Sequence, residues 1–446
     1  FILLFNTLLF SQQALTLNEA IEILKNKNLE IKTSQLDIDM VSQDKKTISG
    51  TNWGKLDFIQ DYANSDDAGN VFGFKLTSRE ANFGDFGAQE FMDNYMSGNP
   101  DYDTPPKDLN YPDSRDFFQS KLRYEIPIFT GFKISSYEDV IKSMLKIKKL
   151  EKEQMVSQKI YELKKSFYDM ALLVNSKKNL DKILKNINIL ENITHNMIEV
   201  GYAKKVDLLE VKAKKGNVER LISQMNSNQT LLYHYISFLL NQKITNIIAP
   251  PLDVAITKLS DEEILNSNFD IKKANNGLEV RRNLTKIEEA SYYPTIGAFA
   301  EISTADDSFL GDANDHKAYT FGARLTWNVF NGGIDAANIE KSRLDFIKTK
   351  IQVELAKSGI KLKIQKIRTE IETFDNDIVS LKKELDLANE IYKNYEGRYK
   401  EQLTSMSELV IKQSQQIQKI LELQQTRNKR NERIFALEKL INGEQL

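Results

Sequence analysis

The sequence predicts an α+β membrane protein made of a duplicated unit. Its trimer would close a twelve-stranded β-barrel, four strands from each chain, continuous with a long α-helical coiled-coil barrel. Three observations predict this. A heptad stripe runs through a helix too long for a compact globule. Matching residues recur at constant offsets along the chain. Paired strands alternate strictly between apolar and polar residues, in the same phase in both copies.

The heptad stripe runs through Ile360, Ile364, Ile367, Ile371, Phe374, Ile378, Leu381 and Leu385, then past Ala388 to Tyr392, Tyr395 and Tyr399. Steps of four and three give a mean period of about 3.5, which winds helices into a left-handed supercoil. No proline follows Pro294, so nothing of that kind interrupts the helix. A helix over 335–401 would be about 100 Å long at 1.5 Å per residue and needs neighbours of similar length.

The chain supplies them twice. Phe129-Thr130-Gly131 and Phe330-Asn331-Gly332 stand 201 residues apart, as do Asp207-Leu208 and Glu408-Leu409. Upstream, Leu29-Glu30-Ile31-Lys32 and Phe269-Asp270-Ile271-Lys272 stand 240 apart, as do Trp53 and Tyr293. The first copy therefore carries 39 extra residues, all between about Phe58 and Asp116. An ungapped register over such a span argues for duplication.

Taken in order, the chain opens on an apolar run, Phe1 to Phe10, without an initiator Met or a basic residue. It is expected to be the remnant of a signal-peptide core, 1–14, with cleavage after Ser11 or Ala14. The first repeat, 15–249, begins with a helix over 17–49, opened by Thr16 as N-cap and Glu19 three residues on. Strands follow at 55–62 and about 118–128, flanking the loop 63–116. Then come a long helix, 134–200, with Ile160, Leu163, Phe167, Met170 and Val174 in heptad steps, and a return helix, 206–242. Pro250-Pro251 mark a linker, 250–260. The second repeat, 261–443, gives helix 261–291, strands 294–303 and 319–329, long helix 335–401 and return helix 405–442. The long helices have about 67 residues each, and the two shorter helices of each copy together have about 70. Two short helices stacked end to end would match one long one.

In the strands, Tyr319, Phe321, Ala323, Leu325, Trp327 and Val329 alternate with Thr320, Gly322, Arg324, Thr326 and Asn328. Phe118, Leu122, Tyr124, Ile126 and Ile128 alternate with Gln119, Lys121, Arg123 and Glu125 in the same phase. This pattern fits a transmembrane β-strand, and locally it equally fits a half-buried sheet in water. Four strands cannot close a barrel, and an open edge in lipid leaves backbone groups unpaired, so closure requires several chains. The loop 63–116 holds eleven acidic residues against Lys75, Arg79, Lys107 and Arg115. Between barrel strands such a loop belongs outside the cell, with Phe-rich pieces over the mouth or as an unstructured surface loop.

The plan, with Thr16-Leu17-Asn18-Glu19-Ala20 at its start and Gly201 to Asp207-Leu208-Leu209 at the first helical turn, resembles the TolC-like outer-membrane efflux family over about residues 15–443. The resemblance implies a homotrimeric channel-tunnel in outer-membrane lipid with a periplasmic extension. It would serve as the exit duct of a tripartite efflux or type I secretion system, reaching an inner-membrane pump through a periplasmic adaptor protein. It also implies a periplasmic aperture at Asp207, Tyr399, Glu408 and Thr404, with a Tyr399–Asp207 hydrogen bond as a latch. Thr404 stands where the family's type member has an arginine, and Ile411 where it has a further acid. Val200, Gly201 and Tyr202, with Gln402 and Leu403 in the second copy, fall at the tip that adaptors contact. Physically, six carboxylates from three chains would make a cation-favouring constriction. Either acid can also simply favour its own helix N-terminus.

Other functions find little support. The formal net charge of −2 on 446 residues does not suit a nucleic-acid-binding protein. There are no cysteines for disulfides, thiolate nucleophiles or Cys-based metal sites. His195, His234 and His316 lack metal-ligand spacing, and no Walker A pattern or recognisable catalytic pair occurs. No enzyme and no cofactor is expected. A soluble coiled-coil scaffold or cell-envelope spacer is the alternative; a periplasmic adaptor would need a small β-rich domain that the sequence does not offer.

Overall fold

The computed structural model describes residues 14–98, 100–256 and 258–441. The expected signal remnant lies almost wholly outside them. The chain divides into a helical unit (residues up to 41, 144–278 and from 348 onward) and a sheet-bearing unit (42–143 and 279–347).

In the helical unit the chain starts with α1 (Leu17–Lys27) and α2 (Leu29–Thr51), where one unbroken helix was expected. Thr16 and Glu19 do form the reciprocal capping box. The break falls at Asn28, a buried residue with extended backbone. Its amide nitrogen donates to the Leu239 carbonyl (2.8 Å), and its side-chain oxygen accepts the Ile31 N–H (3.1 Å). One side chain thus restarts a helix and satisfies a carbonyl near the end of α7 (Lys205–Leu240). The second half repeats the device. Between α8 (Asp261–Ser267) and α9 (Phe269–Glu289), Asn268 donates to the Leu440 carbonyl (3.1 Å) and accepts the Ile271 N–H (3.2 Å).

The two long helices, α6 (Lys133–Glu199) and α10 (Ile334–Lys400), have 67 residues each, within a residue of the expected bounds. The heptad stripe of α10 is its buried seam. Ile364, Ile367 and Ile371 pack with Ile264 of α8 and with Ile434 and Leu437 of α11 (Met406–Glu438). Ile378 and Leu381 pack with Leu423, also of α11. On α6, Leu163, Phe167 and Met170 pack with Ala20 and Leu24 of α1 and with Ile236, Leu239 and Leu240 of α7. Each fully buried Leu, Ile or Phe contributes about 1.5–3 kcal/mol, so thin helical layers are held by a long series of such contacts. Among the described residues no helix is long and apolar enough to cross a membrane.

In the sheet-bearing unit, β1 (Lys55–Ser65), β2 (Arg115–Phe129), β3 (Thr295–Asp306) and β4 (Lys317–Thr326) form one antiparallel sheet in the order β1-β2-β3-β4. The chain thereby leaves an outer edge on β1 and another on β4. The register puts Leu56, Tyr124, Ala300 and Phe321 in one transverse row and Phe58, Leu122, Ile302 and Tyr319 in the next. The opposite face carries the row Asp57, Arg123, Glu301 and Thr320. There Lys121 pairs with Asp61 at 3.0 Å. The register shifts between Pro127 and Phe129, where proline offers no N–H to the ladder.

The segment between β1 and β2 is folded rather than unstructured. It holds α3 (Ala68–Thr77), a 3-10 turn (Phe83–Phe86), α4 (Ala88–Met96) and α5 (Lys107–Asn110). Asp67 caps α3, and Phe74 stacks on Phe117 of β2 with centroids 4.2 Å apart. Lys75 pairs with Asp85, and Arg115 pairs with Glu80.

Candidate functional site

The expected aperture residues gather at the turn between α6 and α7 and the turn between α10 and α11. Both belong to the helical unit, and the four helix ends share one core. Leu180, Ile183, Ile187 and Leu190 of α6, Val211 and Val218 of α7, Tyr392 and Tyr399 of α10, and Met406, Leu409 and Ile417 of α11 form it.

The two turns have the same backbone. After α6, the Tyr202 N–H reaches the Met197 carbonyl (2.7 Å) and the Gly201 N–H reaches Ile198 (3.1 Å). After α10, the Leu403 N–H reaches Arg398 (2.8 Å) and the Gln402 N–H reaches Tyr399 (3.0 Å). Each is a Schellman closure with the pivotal residue left-handed. That residue is Gly201 at φ +82° and Gln402 at φ +62°.

Asp207 and Glu408 are each the third residue of the helix that follows. Asp207 accepts the Lys204 backbone N–H at 2.7 Å. Glu408 accepts from the Thr404 hydroxyl, and its own N–H donates to Ser405 Oγ at 3.2 Å. The Thr404 hydroxyl, then the Ser405 backbone, hold the Glu408 carboxyl below its ordinary value. Both acids therefore anchor helix starts, where negative charge also meets the helix dipole. Val200, Tyr202 and Leu403 are exposed at the turns, with Val206, Leu209 and Ile411 exposed beside them.

The Tyr399–Asp207 hydrogen bond does not form within the chain. Tyr399 is buried, and its hydroxyl lies 3.3 Å from Thr194 Oγ1. Burial raises its pKa. The returning helices α7 and α11 are tied instead by the Ser407 hydroxyl, within 2.7 and 2.8 Å of the two Glu210 oxygens. A second tie is the buried Lys214, whose ammonium donates to Ser414 Oγ at 2.7 Å. Burial lowers the Lys214 pKa. Sequence reading missed Thr194, Glu210, Ser407 and Lys214. Only Lys214 carried a signal, as a lysine one turn from the apolar Val211 and Val218 on the same helix.

No family model matches the chain. Nodulation protein T of Rhizobium leguminosarum bv. viciae is 22% identical over 210 residues, which span 43% of this chain and only 42% of that protein. Solved structures match far more of it. CusC, whose crystal structures concern folding and transmembrane channel formation, superposes with a TM-score of 0.78 at 12% identity, over 96% of this chain and 92% of its own. The Campylobacter jejuni outer membrane channel CmeC gives 0.76 at 11%, over 96% and 85%. The outer membrane protein VceC of Vibrio cholerae gives 0.72 at 13%, over 95% and 94%. The chain has the α+β fold of outer-membrane channel proteins. It is the TolC-like fold that the sequence resembles.

Proposed function

We propose that the chain is one protomer of a trimeric outer-membrane exit duct, the outer part of a tripartite efflux or type I secretion system. The observation that carries this reading is the sheet. Its apolar face is uncovered: Phe58 is 68% exposed and Phe321 76%. A water-soluble sheet buries such a face, whereas lipid accepts it. The opposite face is charged, as the lumen of a β-barrel is. Strands of 10 to 15 residues are long enough to span a bilayer. The two outer edges need partners in lipid, and a second and third copy of this chain would supply them. Likeness to outer-membrane channels over nearly the whole chain supports the same reading.

In this reading the protein catalyses nothing and lets cargo pass. Asp207, Glu408, Thr404 and Tyr399 line or support a periplasmic aperture. Val200, Gly201, Tyr202, Gln402 and Leu403 form the tip that meets a periplasmic adaptor, through which an inner-membrane pump is reached. Exposed Val200, Tyr202 and Leu403 give that tip an apolar surface suited to a protein partner. The two halves of the chain are read as copies of one unit. The test is the detergent-corrected mass of protein extracted from outer membranes, followed by single-channel conductance in planar bilayers. A trimer with ohmic conductance is expected. A monomer absent from that membrane would leave the sheet edges open and return the soluble coiled-coil scaffold as the reading.

A further inference from the structure

The channel reading makes no use of a cluster in the sheet-bearing unit. One ring nitrogen of His316 and one carboxylate oxygen each of Glu80 and Asp306 lie within 4.8 Å of one another. The three come from two separate segments. Glu80 follows α3 in the long β1–β2 connection, while Asp306 ends β3 and His316 precedes β4.

The site is built rather than casual. Asp306 is 7% exposed. Its carboxylate is oriented by the backbone N–H of Asp307 (2.7 Å) and that of Asp312. Gly311 lets the hairpin wrap this closely, because a Cβ there would stand 2.1 Å from Asp306 Oδ2. His316 Nδ1 lies 3.2 Å from the Ala305 carbonyl and 4.0 Å from Asp306 Oδ2, so the ring is held beside the carboxylate. Arg115 pairs with one oxygen of Glu80 and leaves the other for a second partner. Counting Glu80, Asp306 and Arg115, two carboxylates face one fixed cation at a largely buried place. A further positive charge would offset the remainder.

We propose that Glu80, Asp306 and His316 form a binding site for a divalent transition metal of the zinc class, which ties the β1–β2 connection to the β3–β4 hairpin. An imidazole nitrogen with two carboxylate oxygens suits zinc and its neighbours better than calcium, which takes oxygen ligands alone. Four-coordinate zinc holds its ligand atoms about 3.3 Å apart, from bonds of about 2.0 Å. The cluster therefore has to contract by at most about 1.5 Å, within reach of a Glu80 side-chain rotation. Solvent would supply the fourth position.

The experiment uses the full chain, purified in detergent, stripped with a chelator and titrated with Co²⁺ as a spectroscopic stand-in. The expected result is a visible absorption band that saturates at about one Co²⁺ per chain and is abolished by Zn²⁺ but not by Ca²⁺. Glu80→Gln and His316→Ala should each weaken binding at least about tenfold. Trypsin should cut after Lys75 and Arg79 more slowly with Zn²⁺ bound than without it, in the wild type but not in His316→Ala. Absence of the band at millimolar Co²⁺, unchanged affinity in His316→Ala, or displacement by Ca²⁺ as effective as by Zn²⁺ would overturn the proposal. Should a variant misfold, X-ray absorption on the wild-type Zn²⁺ complex decides. Lack of a nitrogen ligand would leave His316 merely as a counter-charge to Asp306.

Discussion

Gln402 holds the second helical turn in the left-handed backbone that Gly201 gives the first, at φ +62° against +82°. The two stand 201 residues apart, and the N–H that follows each reaches back to close its helix. A side chain in this region costs about 1–2 kcal/mol that glycine does not. A Cβ on Gly201 would meet nothing within 4 Å, so the difference is backbone strain alone. Gln402→Gly is therefore predicted to stabilise the second turn by about 1 kcal/mol, and Gly201→Ala to weaken the first by a similar amount. Amide hydrogen exchange at Leu403 should slow about fivefold in Gln402→Gly. Unchanged or faster exchange would show that the glutamine side chain offsets its own strain.

Asn28 and Asn268 give the second prediction. Each caps a restarting helix and donates to a carbonyl at or just past the end of the returning helix while buried. Alanine at either place removes the cap and strands a buried carbonyl. The cost should be about 1–3 kcal/mol for each. Denaturant unfolding followed by circular dichroism measures it. A change under about 0.5 kcal/mol, the range of ordinary surface substitutions, would mean that water satisfies both groups.

These two pairs mark the boundary of what the sequence disclosed. Periodicity exposed the long helices and their seam because about twenty turns repeat one pattern, and alternation exposed the strands. The capping box at Thr16 and Glu19 was legible because it is local. Asn28 was not, because asparagine within an apolar periodicity has no Pro or Gly to announce a break. Its reason lies in Leu239, 211 residues away. The helices of the β1–β2 connection were hidden among acidic and aromatic residues, and packing such as Phe74 on Phe117 decides their place. At the proposed aperture the acids were found by their offset. Whether Tyr399 meets Asp207 or Thr194 depends on how two supercoiled helices rotate against each other, which one sequence does not specify.

Lys214 yields a prediction about alkaline pH. It is 9% exposed, donates to Ser414, and has its pKa lowered by burial. Between that lowered value and the ordinary 10.5 the unfolded chain binds the proton and the folded chain does not, so stability rises with pH across this window. Below the window the buried ammonium is a liability. Lys214→Met should raise stability near neutrality by about 1 kcal/mol, since an unpaired buried charge is exchanged for an apolar chain of similar length. It should also flatten the rise at high pH. A variant that loses stability at neutral pH would reveal that a carboxylate of another chain pairs with Lys214 in the assembled protein.

The last prediction separates the two roles of the tip acids. Asp207→Asn and Glu408→Gln keep an oxygen that accepts from Lys204 and Thr404, so both helix starts survive while the charge is lost. If the acids line an aperture, the double variant should lose block by polyvalent cations about tenfold or more, with its trimer mass intact. Unchanged block would confine both residues to capping. The pH dependence carries a second check. The Glu408 carboxyl is held below its usual 4.5, so its charge persists as pH falls past that value and disappears only below it. The part of block due to Glu408, and the stability of its cap, should be lost over the same low window. Thr404→Ala removes the larger cause and should move that loss to higher pH. Glu210→Ala and Ser407→Ala disrupt the observed tie between α7 and α11 without touching either acid. They should raise resting conductance, whereas Tyr399→Phe, which loses only a 3.3 Å contact with Thr194, should leave it nearly unchanged. The opposite ranking would restore the tyrosine as the latch.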